Sequence, residues 1–161
     1  MSRTWRGERG APRPSLHKRV QKELDSLTAR AGEDGIRVHD YPDAESCRIQ
    51  VLGAPGTLYA GENFMLRFRF PARSPFESPE VVFEGSSPIH PHIYSNGHIC
   101  LSILYDAWSP ALTVHAVCMS IVSMLSSAQE KVRPKDDASY VARVGHRSPK
   151  LSKWHFDDDG V

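Results

Sequence analysis

Three histidines and a cysteine fall within one short run, His90-Pro91-His92-Ile93-Tyr94-Ser95-Asn96-Gly97-His98-Ile99-Cys100. Two kinds of chemistry use such a set. The Asn-Gly turn can bring His90 and His92 toward His98 and Cys100, which are the donor types of a tetrahedral zinc site. A cysteine just past a tight turn and close to imidazoles also has the setting of a nucleophile that accepts an acyl group, for which thiolate formation, a general base and an oxyanion donor are needed. The third reading is structural: the histidines satisfy backbone groups of a tortuous loop and Cys100 is buried. Spacing alone leaves the three open.

The other two cysteines read differently. Cys47 shares strand parity with Ile49 and Val51, and Cys118 lies on a helical stripe with Val114, Val117, Ile121 and Leu125. Both patterns place a thiol in a core, where cysteine acts as a small hydrophobe.

The elements that must position Cys100 are legible from periodicity. Ser15 is a helix N-cap residue, Leu16, Val20, Leu24, Leu27 and Ala31 follow at helical spacing, and Gly32 closes the helix. Ile36 and Val38 begin a first strand, Cys47 to Leu52 form a second, and Phe64, Leu66, Phe68 and Phe70 alternate with Met65, Arg67 and Arg69 in a third. A short fourth covers Val81 to Glu84. The links are short and rich in Gly and Pro, which predicts an antiparallel meander because parallel crossovers need a dozen residues or more. Residues 88–110 show almost no periodicity, as functional segments inside compact domains often do. A second helix is predicted over about 113–126, and a third from Asp136 or Asp137 to Gly145 with Tyr140, Val141 and Val144 facing in. The fold class is α+β.

At 161 residues the chain is sized for one domain. Twenty basic against 19 acidic side chains leave a net charge of +1, no general case for a nucleic-acid or membrane partner. Three cysteines without framework spacing suit a reducing compartment. No apolar run reaches membrane-spanning length and the start MSRTWRGERG has no apolar signal segment, so the expectation is a cytoplasmic or nuclear protein. Residues 1–14, with Arg3, Arg6, Arg9 and Arg13 among Gly and Pro, read as a disordered basic arm. The core domain is assigned to 15–145. Residues 146–161, with Trp154, Phe156 and Asp157 to Asp159, read as a flexible tail.

The run His90 to Cys100 continued by Leu101-Ser102-Ile103-Leu104, and then Trp108-Ser109-Pro110-Ala111-Leu112, resembles the active-site region of ubiquitin-conjugating enzymes. Gly56-Thr57-Leu58-Tyr59-Ala60-Gly61, Phe70-Pro71, Pro75-Phe76 and Pro79 are similar to that family's core, and Lys18 to Leu24 to its first helix. The resemblance covers roughly residues 15–144 in order. It implies an N-terminal helix, a four-stranded antiparallel meander, an irregular active-site segment and two C-terminal helices, and it argues against the zinc reading.

The resemblance further implies acyl transfer: Cys100 takes ubiquitin from an activating enzyme as a thioester and passes it to an amine. His92 stands where the family usually has an asparagine, as oxyanion donor or loop brace. His90, Pro91 and Asn96 are active-site structural positions. Phe76, Pro110 and Ala111 correspond to the apolar contact for RING-type and U-box-type ligases, and Lys18, Arg19 and Lys22 to a helix face shared by ligase and activating enzyme. Phe76 also has the plainer reading of a core aromatic, although its Ser-Pro neighbours suggest a loop tip. No cofactor or metal is expected, since ATP is used upstream by the activating enzyme.

Two departures from the family pattern stand out. One is His92 itself. The other is Glu130-Lys131-Val132-Arg133-Pro134, where most members carry an acid near the loop's end. With the Lys153-Trp154 tail, they resemble the W-type branch, which modifies α-amino groups of flexible N-termini; Trp154 is then a substrate-tail residue. Asp136 and Asp137 replace the acid if the loop folds back. The alternatives are an ordinary lysine-directed enzyme, a non-catalytic ubiquitin-binding scaffold, and a cysteine hydrolase, for which no Asn or Asp is suitably spaced.

Overall fold

The computed structural model describes residues 16–156, so the basic arm at 1–14, the Ser15 cap and the aspartates at 157–159 lie outside the described residues. Helix α1 runs Lys18–Ala29, with His17 as its cap: the His17 ring accepts a hydrogen bond from the Arg19 N–H at 3.2 Å. Val20, Leu24 and Leu27 recur on its inner face and are buried. The helix stops short of Gly32, because Ala31 at φ 52° and Gly32 at φ 80° already turn the chain back.

Four strands follow, β1 Ile36–Asp43, β2 Ser46–Leu52, β3 Asn63–Arg69 and β4 Glu80–Glu84, in the order β1-β2-β3-β4. All pairs are antiparallel. The register sets Cys47 opposite Phe68, Ile49 opposite Leu66 and Leu66 opposite Phe83, so one face of the sheet is continuous apolar surface. The other face carries an ion-paired lattice in which Arg48 meets Asp40 and Glu84, and Arg67 meets Asp43 and Glu84. Strand β1 pairs regularly only at its start and shifts register after Val38 and Asp40, which is why its second half lacks apolar alternation.

Helix α2, Val114–Ser127, crosses the apolar face and buries Val117, Cys118, Ile121 and Leu125. Its start is capped twice. Thr113 accepts from the Ala116 N–H at 3.0 Å, and the Glu23 carboxylate of α1 accepts from the Val114 N–H at 3.2 Å. Helix α3, Asp137–Val144, buries Tyr140 and leaves Val141 and Val144 half-buried.

The expectation of a flexible tail from residue 146 needs correction over its described part. Residues 149–151 form a short 3-10 turn. Ser148 donates to Glu80 at 2.7 Å, Lys150 donates to the Ser78 carbonyl, and the Trp154 indole donates to Pro149 at 2.9 Å. Aromatic residues too bulky to be left in water give the segment a seat on the core, and charge counting could not reveal that.

Candidate active site

The irregular segment is held by one glycine and by polar side chains that bond to main chain or to a phenol. Gly97 sits at φ 89°, and a Cβ there would lie 2.1 Å from the Phe83 carbonyl oxygen. Only glycine permits this approach. The approach lets Gly97 O accept from the Phe83 N–H at 2.9 Å, and it pairs His98 with Val82, clipping the turn onto β4. Asn96 ties the same turn to α3 by donating to the Gly145 carbonyl at 2.7 Å, while its oxygen accepts from the His98 N–H at 3.2 Å. Cys100 leaves the hairpin half-buried, its N–H donating to the His92 carbonyl at 2.8 Å. Its thiol donates to the His155 carbonyl across 3.6 Å.

The histidines divide by role. His90 is fully buried. One ring nitrogen donates to the Met124 carbonyl at 3.1 Å and the other accepts from the His92 N–H at 2.9 Å, which fixes the neutral Nε2–H tautomer. Burial pushes its pKa down to about 4. Both nitrogens are therefore engaged by backbone, and neither faces Cys100 as a ligand. The His92 ring is half-buried and meets His90 edge to face, centroids 5.5 Å apart. His98 is buried, with Nδ1 2.7 Å from the Tyr140 hydroxyl, and burial again lowers its pKa. Pro91, between the first two histidines, is half-buried.

The segment after α2 packs against the loop that carries the histidines. Arg133 donates to the carbonyls of Ser87 (3.1 Å), Pro88 (2.7 Å) and Ile93 (3.2 Å), and to the Ser87 hydroxyl at 3.2 Å. One guanidinium thus gathers both ends of the loop that carries His90 and His92. Lys131 pairs with Glu62 at 2.7 Å and lies 5.0 Å over the Tyr59 ring, whose hydroxyl donates to Ile89 at 2.5 Å. Asp136 accepts from the Tyr94 hydroxyl at 2.9 Å and Asp137 from the Ser95 N–H at 2.8 Å, so both carboxylates brace the turn.

Around Cys100 stands an aromatic group, Tyr94, Tyr105, Tyr140 and Trp154. Tyr94 and Tyr140 are 4.0 Å apart, and Trp154 touches all three tyrosines at 5.0 to 6.0 Å. Burial is the first cause that pushes all three phenols above their ordinary pKa, so they remain neutral hydrogen-bonding groups. Sequence reasoning placed Tyr140 on the inner face of the third helix but missed Arg133 as a loop anchor and Tyr94 and Tyr105 as neighbours of Cys100. The available signal was two tyrosines flanking the cysteine within the irregular segment.

The remaining sequence-derived positions lie elsewhere. Phe76 is 72% exposed at a loop tip, and Pro110 and Ala111 are exposed on a second loop. The Trp108 indole joins the two loops by donating to Pro75 at 3.0 Å. Lys18 and Lys22 are exposed on α1, whereas Arg19 pairs with Glu23 at 3.3 Å.

Comparison with known proteins now decides the family. The ubiquitin-conjugating enzyme model matches residues 19–152. The chain is a member of the ubiquitin-conjugating enzyme family. It is 54% identical over 144 residues to a protein named probable ubiquitin-conjugating enzyme E2 W of Dictyostelium discoideum, covering 89% of this chain and 96% of that one. Against probable ubiquitin-conjugating enzyme E2 16 of Arabidopsis thaliana it is 58% identical over 158 residues, covering 94% and 98%. Among solved structures, ubiquitin-conjugating enzyme E2 UbcA1 from Agrocybe aegerita matches at a TM-score of 0.78 and 40% identity, covering 85% of this chain and 99% of that one. The family assignment makes the chain an acyltransferase whose partners include ubiquitin, an activating enzyme and ligases.

Proposed function

We propose that Cys100 is the residue that carries ubiquitin and that the thioester discharges preferentially onto the α-amino group of flexible N-termini, aided by a RING-type ligase. The observation that carries the first half is exposure. Cys47 and Cys118 are 0% exposed and burial pushes both thiols up, that of Cys47 to about 12, whereas Cys100 is half-buried at the mouth of the turn.

The chemistry is two acyl exchanges. Cys100 sulfur attacks the carbonyl carbon of ubiquitin held on the activating enzyme, the older C–S bond breaks, and the proton lost by Cys100 goes to the departing thiolate. An amine nitrogen then attacks the new thioester, an amide bond forms, and Cys100 leaves as thiolate while the amine gives up a proton. Positioning carries much of the rate, with effective molarities of about 10⁵ M or more in favourable cases. The contacts of His92, edge to face with His90 and backbone to Cys100, support the brace of its two roles.

The preference for α-amines rests on the engagement of the carboxylates nearest the site among the described residues. The segment 130–134, which by resemblance lacks the family's acid around Lys131 and Val132, commits Lys131 to Glu62 and Arg133 to loop carbonyls, and Asp136 and Asp137 are engaged with Tyr94 and Ser95. An α-amine of pKa about 7.8 is roughly one quarter unprotonated at about pH 7.3, whereas a lysine of pKa about 10.4 is only about 0.1% so. The first therefore needs far less help to lose its proton.

The test uses ubiquitin, an activating enzyme and ATP. The parent should form an adduct that thiol reductant removes, Cys100→Ala should form none, and Cys47→Ala should charge normally. Full charging of Cys100→Ala refutes the nucleophile. For the acceptor, a peptide with one free N-terminus and one lysine is compared with its N-acetylated form. Acetylation should remove most of the product; equal modification through lysine refutes the preference.

A further inference from the structure

The tail grips the loop that follows Cys100 through a single ring. Trp154 stacks on Tyr105 with centroids 5.0 Å apart and planes at 27°, and Phe156 stacks on the same ring at 5.8 Å and 21°. Both sides of this clamp are fixed. The Tyr105 hydroxyl donates to the Ile99 carbonyl at 3.0 Å, adjacent to Cys100, and the Trp154 indole donates to Pro149. Behind the clamp, the Tyr140 hydroxyl lies 2.9 Å from the Ser152 hydroxyl. Between the two tail aromatics is His155, whose main-chain oxygen lies 3.6 Å from Cys100 Sγ.

We propose that residues 153–156 form a strap that closes on the uncharged enzyme, with the His155 carbonyl accepting a hydrogen bond from the Cys100 thiol, and that acylation of Cys100 releases it. The inference rests on Cys100 as the acceptor of ubiquitin. The reasoning is one of donors. A thiol has an S–H to give to a carbonyl; a thioester sulfur has none. Once Cys100 is acylated, the His155 oxygen faces a sulfur without a proton and an acyl group that needs the same space. In the resting state the negative end of the carbonyl dipole opposes thiolate, the nucleophilic form. The strap therefore slows reaction of the resting thiol and clears the thioester for an incoming amine. Tyr105, Trp154 and Phe156 act through the His155 carbonyl, as positioning residues.

The experiment needs no ubiquitin, so it fails or succeeds separately from the assignment of the nucleophile. Cys100 is alkylated with iodoacetamide near neutral pH in the full chain and quantified by site-resolved mass spectrometry. Phe156→Ala, and Phe156→Ala combined with Trp154→Ala, should react roughly threefold to tenfold faster than the parent. Phe156→Tyr, which keeps the ring, should react at the parent rate. Thermal melting identifies any variant that unfolds, and the single Phe156 variant then carries the test. In the parent, blocking the thiol with methyl methanethiosulfonate should speed tryptic cleavage after Lys153, at the base of the strap. Alkylation of the folded variants within about twofold of the parent, or cleavage unmoved by the block, overturns the strap.

Discussion

His90 makes acid sensitivity a direct probe of the active-site loop. The ring is fully buried and neutral, held between the Met124 carbonyl and the His92 N–H, with its pKa at about 4. In the unfolded chain a histidine titrates near 6.5. The unfolded state therefore binds more protons between those two values, and stability falls as pH drops through that window; above 6.5 and below 4 the group contributes no slope. Integrating the linkage from pH 7 to pH 5 gives a loss of about 2 kcal/mol, and to pH 4 or below a total of about 3 kcal/mol. The assay is urea unfolding at pH 7 and pH 5 for the parent and for His90→Gln, whose amide can still donate to Met124 but does not titrate. Burial lowers His98 as well, and the Arg48 hydrogen bond lowers Asp40, but both act alike in the two proteins. The variant should lose about 2 kcal/mol less than the parent over that interval. Identical pH dependence would refute the claim that His90 is held neutral by burial, and with it the backbone brace of the loop.

Three further outcomes are expected. Gly97→Ala places a methyl against the Phe83 carbonyl at a left-handed φ, and should cost roughly 3 kcal/mol in unfolding experiments while slowing charging. Arg133→Ala orphans the carbonyls of Ser87, Pro88 and Ile93; a loss of about 2–4 kcal/mol is expected by denaturant titration, with Arg133→Lys recovering part of it. Phe76→Ala, at a 72% exposed position, should change stability by no more than about 0.5 kcal/mol, yet ligase-stimulated discharge should weaken by about 2 kcal/mol in apparent binding.

The sheet and α2 were legible because burial on one face imposes a period. Cys47, Ile49 and Val51 alternate as a strand with one wet face must, and Val117, Cys118, Ile121 and Leu125 recur as a helix on a sheet must. The Asn-Gly turn was legible because Gly97 is the residue type its φ demands. Arg133 was not, since its four bonds, three of them to backbone carbonyls, run to residues some 40 to 46 positions away and leave no trace in local pattern. The tail failed for the same reason. Its aromatics find partners in Tyr94, Tyr105 and Tyr140, which lie on three separate stretches of chain. Lys18 and Lys22 read correctly as an exposed basic face, but Arg19 does not belong wholly to it, because Glu23 draws it into an ion pair while also capping α2.

The site's polar groups share one property that bears on mechanism. His90, Asn96, Arg133 and Asp137 each bond to main-chain atoms, and Asp136 to a phenol that stays neutral. They fix where the Cys100 segment lies rather than supplying a proton acceptor beside it. Under the proposed function, such a site gains rate by holding the thioester and the amine in place, with the amine's proton passing to solvent. That is the physical ground of the proposed preference: an acceptor already partly neutral at physiological pH, an α-amine rather than a lysine, asks least of such a site. On the proposed reading, a strap that withdraws when Cys100 is acylated acts in the same direction, because it removes the His155 carbonyl from the sulfur that carries the acyl group and leaves the thioester open to a flexible N-terminus.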